Sequence, residues 1–226
     1  IMVTNLAYFY ETSQKTRGGK WVWVKDSNGE QRGNVLLGGT ILNPKKGFDH
    51  LYAAQLVQYT PAQGCLIFRS FGVKTATSAA TDTTIYVNGD GYGDAPEVGM
   101  LIMKAPSTAT GTGQSALVTN VVYDETNERF AVTLSVALGA LAVGDILVEA
   151  AGNAASETAT VLVPKPNTFI EADRDLMPTE GFGLNGQANY SISTVYNKQA
   201  WIARMQPLPA YVLANNRSLI DGIFWI

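Results

Sequence analysis

The chain has 226 residues, 46% of them apolar and only 15% charged, with a net charge of −3 at pH 7. That length holds one large or two small domains with a substantial core, and the charge content is well under the ~25% of an ordinary globular chain, as expected of a protein that hides surface against partners. The negative balance and the lack of Lys/Arg runs argue against nucleic acid and against an anionic membrane surface.

In chain order, "KWVWVKDSNGEQRGNVLL" (20–37) opens with an aromatic and β-branched run. Asp26-Ser27-Asn28-Gly29 then supplies turn chemistry, which predicts a β-hairpin returning through Asn34 to Leu37. Residues 42–50 read as a loop, and "LYAAQLVQY" (51–59) as a strand with some helical spacing. "CLIFRSFGVK" (65–74) is a strand in which Arg69 or Ser70 marks a change of face. Cys65 is the only cysteine, so neither an internal disulfide nor a cysteine zinc cluster can form; in this apolar setting it is expected to be a small buried side chain.

"TATSAATD" (75–82) reads as a linker, after which the chain writes one pattern twice. "TTIYV…EVGMLIM" (83–103) and "VTLSV…AVGDILV" (132–148) are each an apolar alternation, a loop, a Val-Gly pair and a second apolar run. The loop from Val136 to Val143 is shorter than that from Val87 to Val98. A glycine at each Val-Gly pair suits a sharp, closely packed barrel corner. Between the copies, "ALVTNVVYDETNERFAVTLSV" (116–136) reads as a hairpin turned at Asp124-Glu125-Thr126-Asn127. The most membrane-like run, 130–151, meets Asp145 before reaching the ~20 apolar residues of a spanning helix.

"AGNAASETA" (151–159) is a second linker, "TVLVPKP" a short strand stopped by Pro164 and Pro166, and 167–186 irregular. A third hairpin is expected over 188–209, turned near Asn197, followed by a short helical turn in 210–220 and a terminal apolar strand. The whole reads as all-β with little helix: a small β-barrel of about six strands inserted between or following a β-sandwich-like docking region. The expected division is 1–75 for an N-terminal arm and docking hairpin, 76–157 for the barrel, and 158–226 for a C-terminal β segment packing with the N-terminal region.

Candidate chemistry is sparse. His50 is the only histidine, so nucleophilic catalysis by Cys65 or a serine would have to use it. Asn88, Asp90 and Asp94 in "NGDGYGD" resemble a calcium loop, but the twelfth position is Gly99 rather than Glu, and a plain turn is the expectation. Glu171, Asp173 and Asp175 alternate around Arg174 as a solvated loop would, with a glycosidase-type pair as the sharper alternative. Trp21, Trp23, Tyr52, Tyr59, Tyr190, Tyr196 and Trp201 could stack on a host-surface glycan, or serve packing. No cofactor is expected.

The stretches from "LVQYTPAQGCLIFRSFGVK" through "EVGMLIM" to "ALGALAVGDILVEA", about residues 51–163, resemble head-fibre and capsid decoration (auxiliary capsid) proteins of tailed phages, especially phages of gut Bacteroidetes. Leu138, Gly139, Ala140, Leu141, Gly144, Asp145 and Leu147 carry the Leu-Gly-Ala-Leu…Gly-Asp-x-Leu pattern, whereas the first copy departs from it at Met100. Leu208-Pro209 and the apolar end match loosely over 188–226. The resemblance implies a non-enzymatic virion protein on the capsid exterior. It further implies contacts with the major capsid protein and a homo-oligomer, a trimer by analogy. The candidate assembly interface is Leu208, Tyr211, Phe224, Trp225 and Ile226.

Overall fold

A computed structural model describes residues 16–17, 20–21, 35–38, 41–45, 49–60, 62–89, 94–154, 156–170, 174–176, 192–195 and 206–214. The strands, in chain order, are β1 (Thr16–Arg17), β2 (Lys20–Trp21), β3 (Val35–Gly38), β4 (Asp49–Leu51), β5 (Leu56–Thr60) and β6 (Gly64–Ile67). There follow β7 (Ser70–Thr75), β8 (Thr84–Asn88), β9 (Leu101–Lys104), β10 (Thr112–Gly113), β11 (Ser115–Asp124) and β12 (Arg129–Leu134). The last are β13 (Ile146–Glu149), β14 (Ala159–Thr160), β15 (Thr168–Ile170), β16 (Arg174–Leu176) and β17 (Ile192–Val195), before a short helix α1 (Ala210–Ala214). The protein is all-β, as its alternating apolar pattern predicts.

Two compact units divide the chain: 1–67 with 166–205 and 216–226, and 68–165 with 206–215. The first is built on a five-stranded antiparallel sheet ordered β3-β17-β15-β5-β6. Its core gathers Ile41, Val57, Cys65, Ile67 and Ile170, with Leu51 of the separate β4–β16 ladder packed into the same cluster. Two asparagines act as substitute strand partners. The Asn43 amide accepts from Ile67 N–H at 2.8 Å and donates to Ile67 C=O at 2.9 Å; Asn167 does the same for Tyr59, at 2.8 and 2.9 Å. An amide side chain offers the donor and acceptor that a neighbouring backbone would otherwise present. Cys65 is fully buried here, as expected.

The second unit is a closed six-stranded barrel, β11-β12-β8-β7-β13-β9, with β9 returning to pair with β11. Every ladder is antiparallel. Phe71, Val73, Ile85, Val87, Ile102, Ala116, Val118, Val132, Leu134 and Leu147 fill the interior, and Met100, Leu138 and Leu141 join them from the loops. Closure gives every strand of the ring a partner on both sides over at least part of its length.

The doubled pattern is a real structural repeat, and larger than the sequence suggests. Exchanging β7-β8-β9 with β11-β12-β13 leaves the pairing order around the ring unchanged. Each β7–β8 and β11–β12 hairpin carries a bulge at a matching position, after Val73 and after Val118. The same spacing separates Ser70 from Ser115, Val73 from Val118, Gly99 from Gly144 and Ile102 from Leu147. The buried pair Ile85 and Val87 answers to Val132 and Leu134. Leu134, not Val136, therefore matches Val87, and the two internal loops differ less in length than they seemed to.

The Val-Gly pairs are explained by turn geometry rather than by close packing. Met100 N–H donates to Glu97 C=O and Asp145 N–H to Ala142 C=O, each at 3.1 Å, closing four-residue turns. Gly99 (φ +96°) and Gly144 (φ +89°) occupy the third position, where a type II turn requires positive φ. A side-chain carbon at Gly144 would meet nothing within 4 Å, so the requirement there is conformational. Val98 (49% exposed) and Val143 (68%) sit at the turn tips rather than in the strands that follow. The departure at Met100 also has a physical reason. Asp145 Oδ2 accepts from Ala142 N–H at 2.8 Å, and in the first copy Met100 Sδ takes that place, 3.4 Å from Glu97 N.

Several boundaries differ from those read in the sequence. The barrel unit opens at Phe68, not at 76, and extends to 165, because Ser70–Thr75 is itself a barrel strand and 76–83 only its link to β8. The run 65–74 is two strands, β6 and β7, in different sheets. Residues 168–170 and 174–176 are short strands, not irregular chain. β2 pairs with β1, and β3 with β17. The proposed turns at 26–29 and Asn197 lie outside the described residues, as does the terminal strand.

Candidate functional site

One end of the barrel concentrates the buried charge. There β7 begins and β13 ends as antiparallel neighbours, with Ser70 opposite Val148. The chain therefore enters and leaves the barrel at one end. Arg69 stands just before β7 and is 1% exposed. Its guanidinium reaches Glu149 Oε2 at 3.3 Å, at the end of β13, and Asp94 Oδ2 at 3.8 Å, in the long loop after β8. The Asp94 side chain is 3% exposed and that of Glu149 14%. One cation thus ties chain entrance, loop and exit together, where desolvation makes both the attraction and any loss of it large.

The 206–214 segment closes over this end. Gln206 Nε2 donates to Phe68 C=O at 3.0 Å, and Ser70 Oγ donates to Pro207 C=O. The matching Ser115 donates to Gly152 C=O at 2.8 Å, so each repeat uses a buried serine to pin a passing segment. Phe68, Arg69, Val148, Glu149, Val161, Val163 and Tyr211 close on one another too tightly to leave room for a water molecule. Burial pushes the Tyr211 phenol well above its ordinary range. The arrangement is a dry clasp with no space for a substrate.

This places the expected interface residues. Leu208 is 6% exposed and Tyr211 1%. Both are turned into the packing of their own chain, which leaves little of either side chain at the surface. Phe224, Trp225 and Ile226 lie outside the described residues. Asp94, a candidate calcium ligand, is instead held by Arg69, while Asp90 lies outside the described residues. His50 stands opposite Asp175 in the β4–β16 ladder; Glu171 and Asp173 lie outside the described residues. Tyr59 packs against the first unit's core, and Tyr52 is partly buried. Trp23, Tyr190, Tyr196 and Trp201 lie outside the described residues. Among the described residues, no group of three His, Cys, Asp or Glu is placed to hold a metal ion, and no helix is long and apolar enough to cross a membrane. The clasp was missed from sequence; its signal was the lone charge in the apolar run "CLIFRSF".

Three loop carboxylates stabilise turns around the barrel. Asp82 is held below the usual carboxylate range by the Ala79 N–H at 2.9 Å and by Ser78. Asp124 is lowered by the Asn127 side chain at 2.8 Å and by Arg129 at 2.9 Å. At Asp145, desolvation pushes upward, but hydrogen bonds from Lys104 (2.7 Å) and Ala142 together outweigh it. Each folded pKa lies below its unfolded value, so the stabilisation is fully present above about pH 5 and is lost as pH falls through the folded values. The unfolding temperature, followed by circular dichroism, is expected to be flat above about pH 5 and to fall below about pH 4. Asp82→Asn and Asp145→Asn should each flatten that acid limb; an unchanged slope in both would refute the assignment.

No protein-family model matches the chain, and no curated protein matches it.

Proposed function

We propose that the protein is a non-enzymatic structural component of a virion, decorating the outer surface of a tailed-phage capsid as a head fibre or auxiliary capsid protein. It would act through subunit–subunit and subunit–capsid contacts. The observation that carries this reading is the architecture: a barrel closed on itself and inserted, entrance beside exit, into the chain of a separate sheet-based unit. Such a module suits display from an attached base. The resemblance over about 51–163 and the low charge support the same reading. The buried cluster at the barrel end is closed to substrates and adds no catalytic candidate. Attachment is assigned to the first unit and the apolar chain end. There each large side chain among Phe224, Trp225 and Ile226 would contribute about 1.5–3 kcal/mol if buried against a partner.

The test is co-sedimentation with capsids assembled from the major capsid protein. The full chain is expected to pellet with the capsids, and a chain lacking 223–226 to remain in the supernatant. Equal binding by both, or none by the full chain, would sink the proposal.

A further inference from the structure

The barrel leaves one stretch of strand open. β11 pairs with β9 only from Ser115 to Leu117, and Val118 makes the last two bonds, to Met100 C=O at 2.8 Å and from Gly99 N–H at 2.9 Å. From Thr119 to Asp124, β12 is its partner on one side, and no described strand lies on the other. Natural sheets guard such edges with lysine, proline or a covering segment. The outer edge of β6 in the first unit is covered in this way: Ile41 bridges to Cys65, Leu42 N–H donates to Cys65 C=O, and Asn43 holds Ile67. Residues 119–123 of β11 hold no charge and no proline, and Asp124 is held by Arg129 of its own chain. Val122 (54% exposed), Tyr123 (45%) and the adjacent turn residue Val98 (49%) make this edge the main concentration of exposed large apolar side chains among the described residues.

We propose that this edge pairs with the same edge of a second copy of the chain, antiparallel about a two-fold axis at Val122. The segment is complementary to itself in that register. Val122 lies opposite its own counterpart, Val121 opposite Tyr123, and Asn120 opposite Asp124, so no like charges meet. An isologous contact needs only one such segment. The faces also agree. Val121 packs on the barrel core and Tyr123 stacks on Phe130 with ring centroids 5.0 Å apart, so pairing sets the two core-side rows beside each other. The inference rests on the subunit contacts proposed above and names a surface for them, a two-fold pair in place of the trimer expected by analogy.

The test measures the mass of the full chain by light scattering over a concentration series. The wild type is expected to rise toward twice the single-chain mass. Val122→Lys should weaken this about tenfold or more, since it places like charges opposite each other at the axis. Val143→Lys, at a still more exposed valine on a turn tip elsewhere, should change nothing. Val122→Cys should give a disulfide-linked dimer under mild oxidant, because Cys65 is buried. A wild type that stays single at every concentration overturns the proposal, even if the edge captures some other extended peptide. Association by Val122→Lys equal to wild type, or no cross-link in Val122→Cys, also overturns it. A chain that pairs through Val122 but ignores capsids would end the decoration reading and leave this one standing; a single chain that binds capsids would do the reverse.

Discussion

Arg69→Met is expected to destabilise the barrel unit by about 3–5 kcal/mol at neutral pH, the loss typical of removing one partner from a buried ion pair. The guanidinium is enclosed at the end of β7, with carboxylates of Asp94 and Glu149 at 3.8 and 3.3 Å. Methionine fills much of the volume but takes the cation away from two largely buried carboxylates, with Phe68, Val148 and Val161 lining the cluster beside Glu149. Glu149 retains some solvent access, which softens its share. Urea unfolding of variant and wild type at pH 7 measures the difference. Adding Asp94→Asn and Glu149→Gln to Arg69→Met should restore much of the loss, because the two carboxylate charges are removed together with the cation. A single variant within about 1 kcal/mol of wild type would mean that the cluster behaves as a surface pair.

Ile102→Ala and Leu147→Ala should each cost about 2–5 kcal/mol, and comparable amounts, because the repeat places them at equivalent points in one core. Both are fully buried, Ile102 on β9 and Leu147 on β13, in the same cluster. Each truncation removes buried carbons and leaves a cavity that neighbouring strands, hydrogen-bonded on both sides, cannot easily collapse into. Val143→Ala, at a turn tip, is expected to stay within about 0.5 kcal/mol of wild type. Denaturant midpoints and slopes for the three variants test this. A large loss at one buried position with none at the other would show that the halves do not share the core equally.

The strand class and the doubled pattern were legible because they rest on local signals. Period-2 alternation marks β8, β11 and β12, and Val-Gly marks two turns whose geometry only glycine fits easily. The first strand of each repeat was not legible as a copy. Phe71 faces Ala116 across the alignment and Gly72 faces Leu117, so equivalence is carried by pairing and bulge position rather than by residue type. The polar stretch 75–82 looks like a domain linker because a hairpin connection and a linker use the same residues. Strands of three residues, such as β15 and β16, are too short to show alternation. Leu208 and Tyr211 exposed the remaining limit. An apolar segment near a chain end reads the same whether it waits for a partner or folds back over its own barrel.

The interleaving of the repeats has a bearing on how the chain folds as it is made. Among the described strands β9 pairs only with β11 and β13, and β13 only with β7 and β9, so the first half cannot mature alone. Its Leu101–Met103 run must wait for the second half before it is covered. Every ladder of the ring nevertheless lies between residues 70 and 149, upstream of β15 and β17, on which the five-stranded sheet depends. On the ribosome the insert is therefore complete before its host sheet can form, and domains that emerge first generally fold first. The β5–β6 hairpin can pair as soon as both strands have emerged, but β3 has no sheet neighbour until β17 arrives, and β15 must come before the hairpin is joined to them. The last described segment, 206–214, then clasps a barrel already closed.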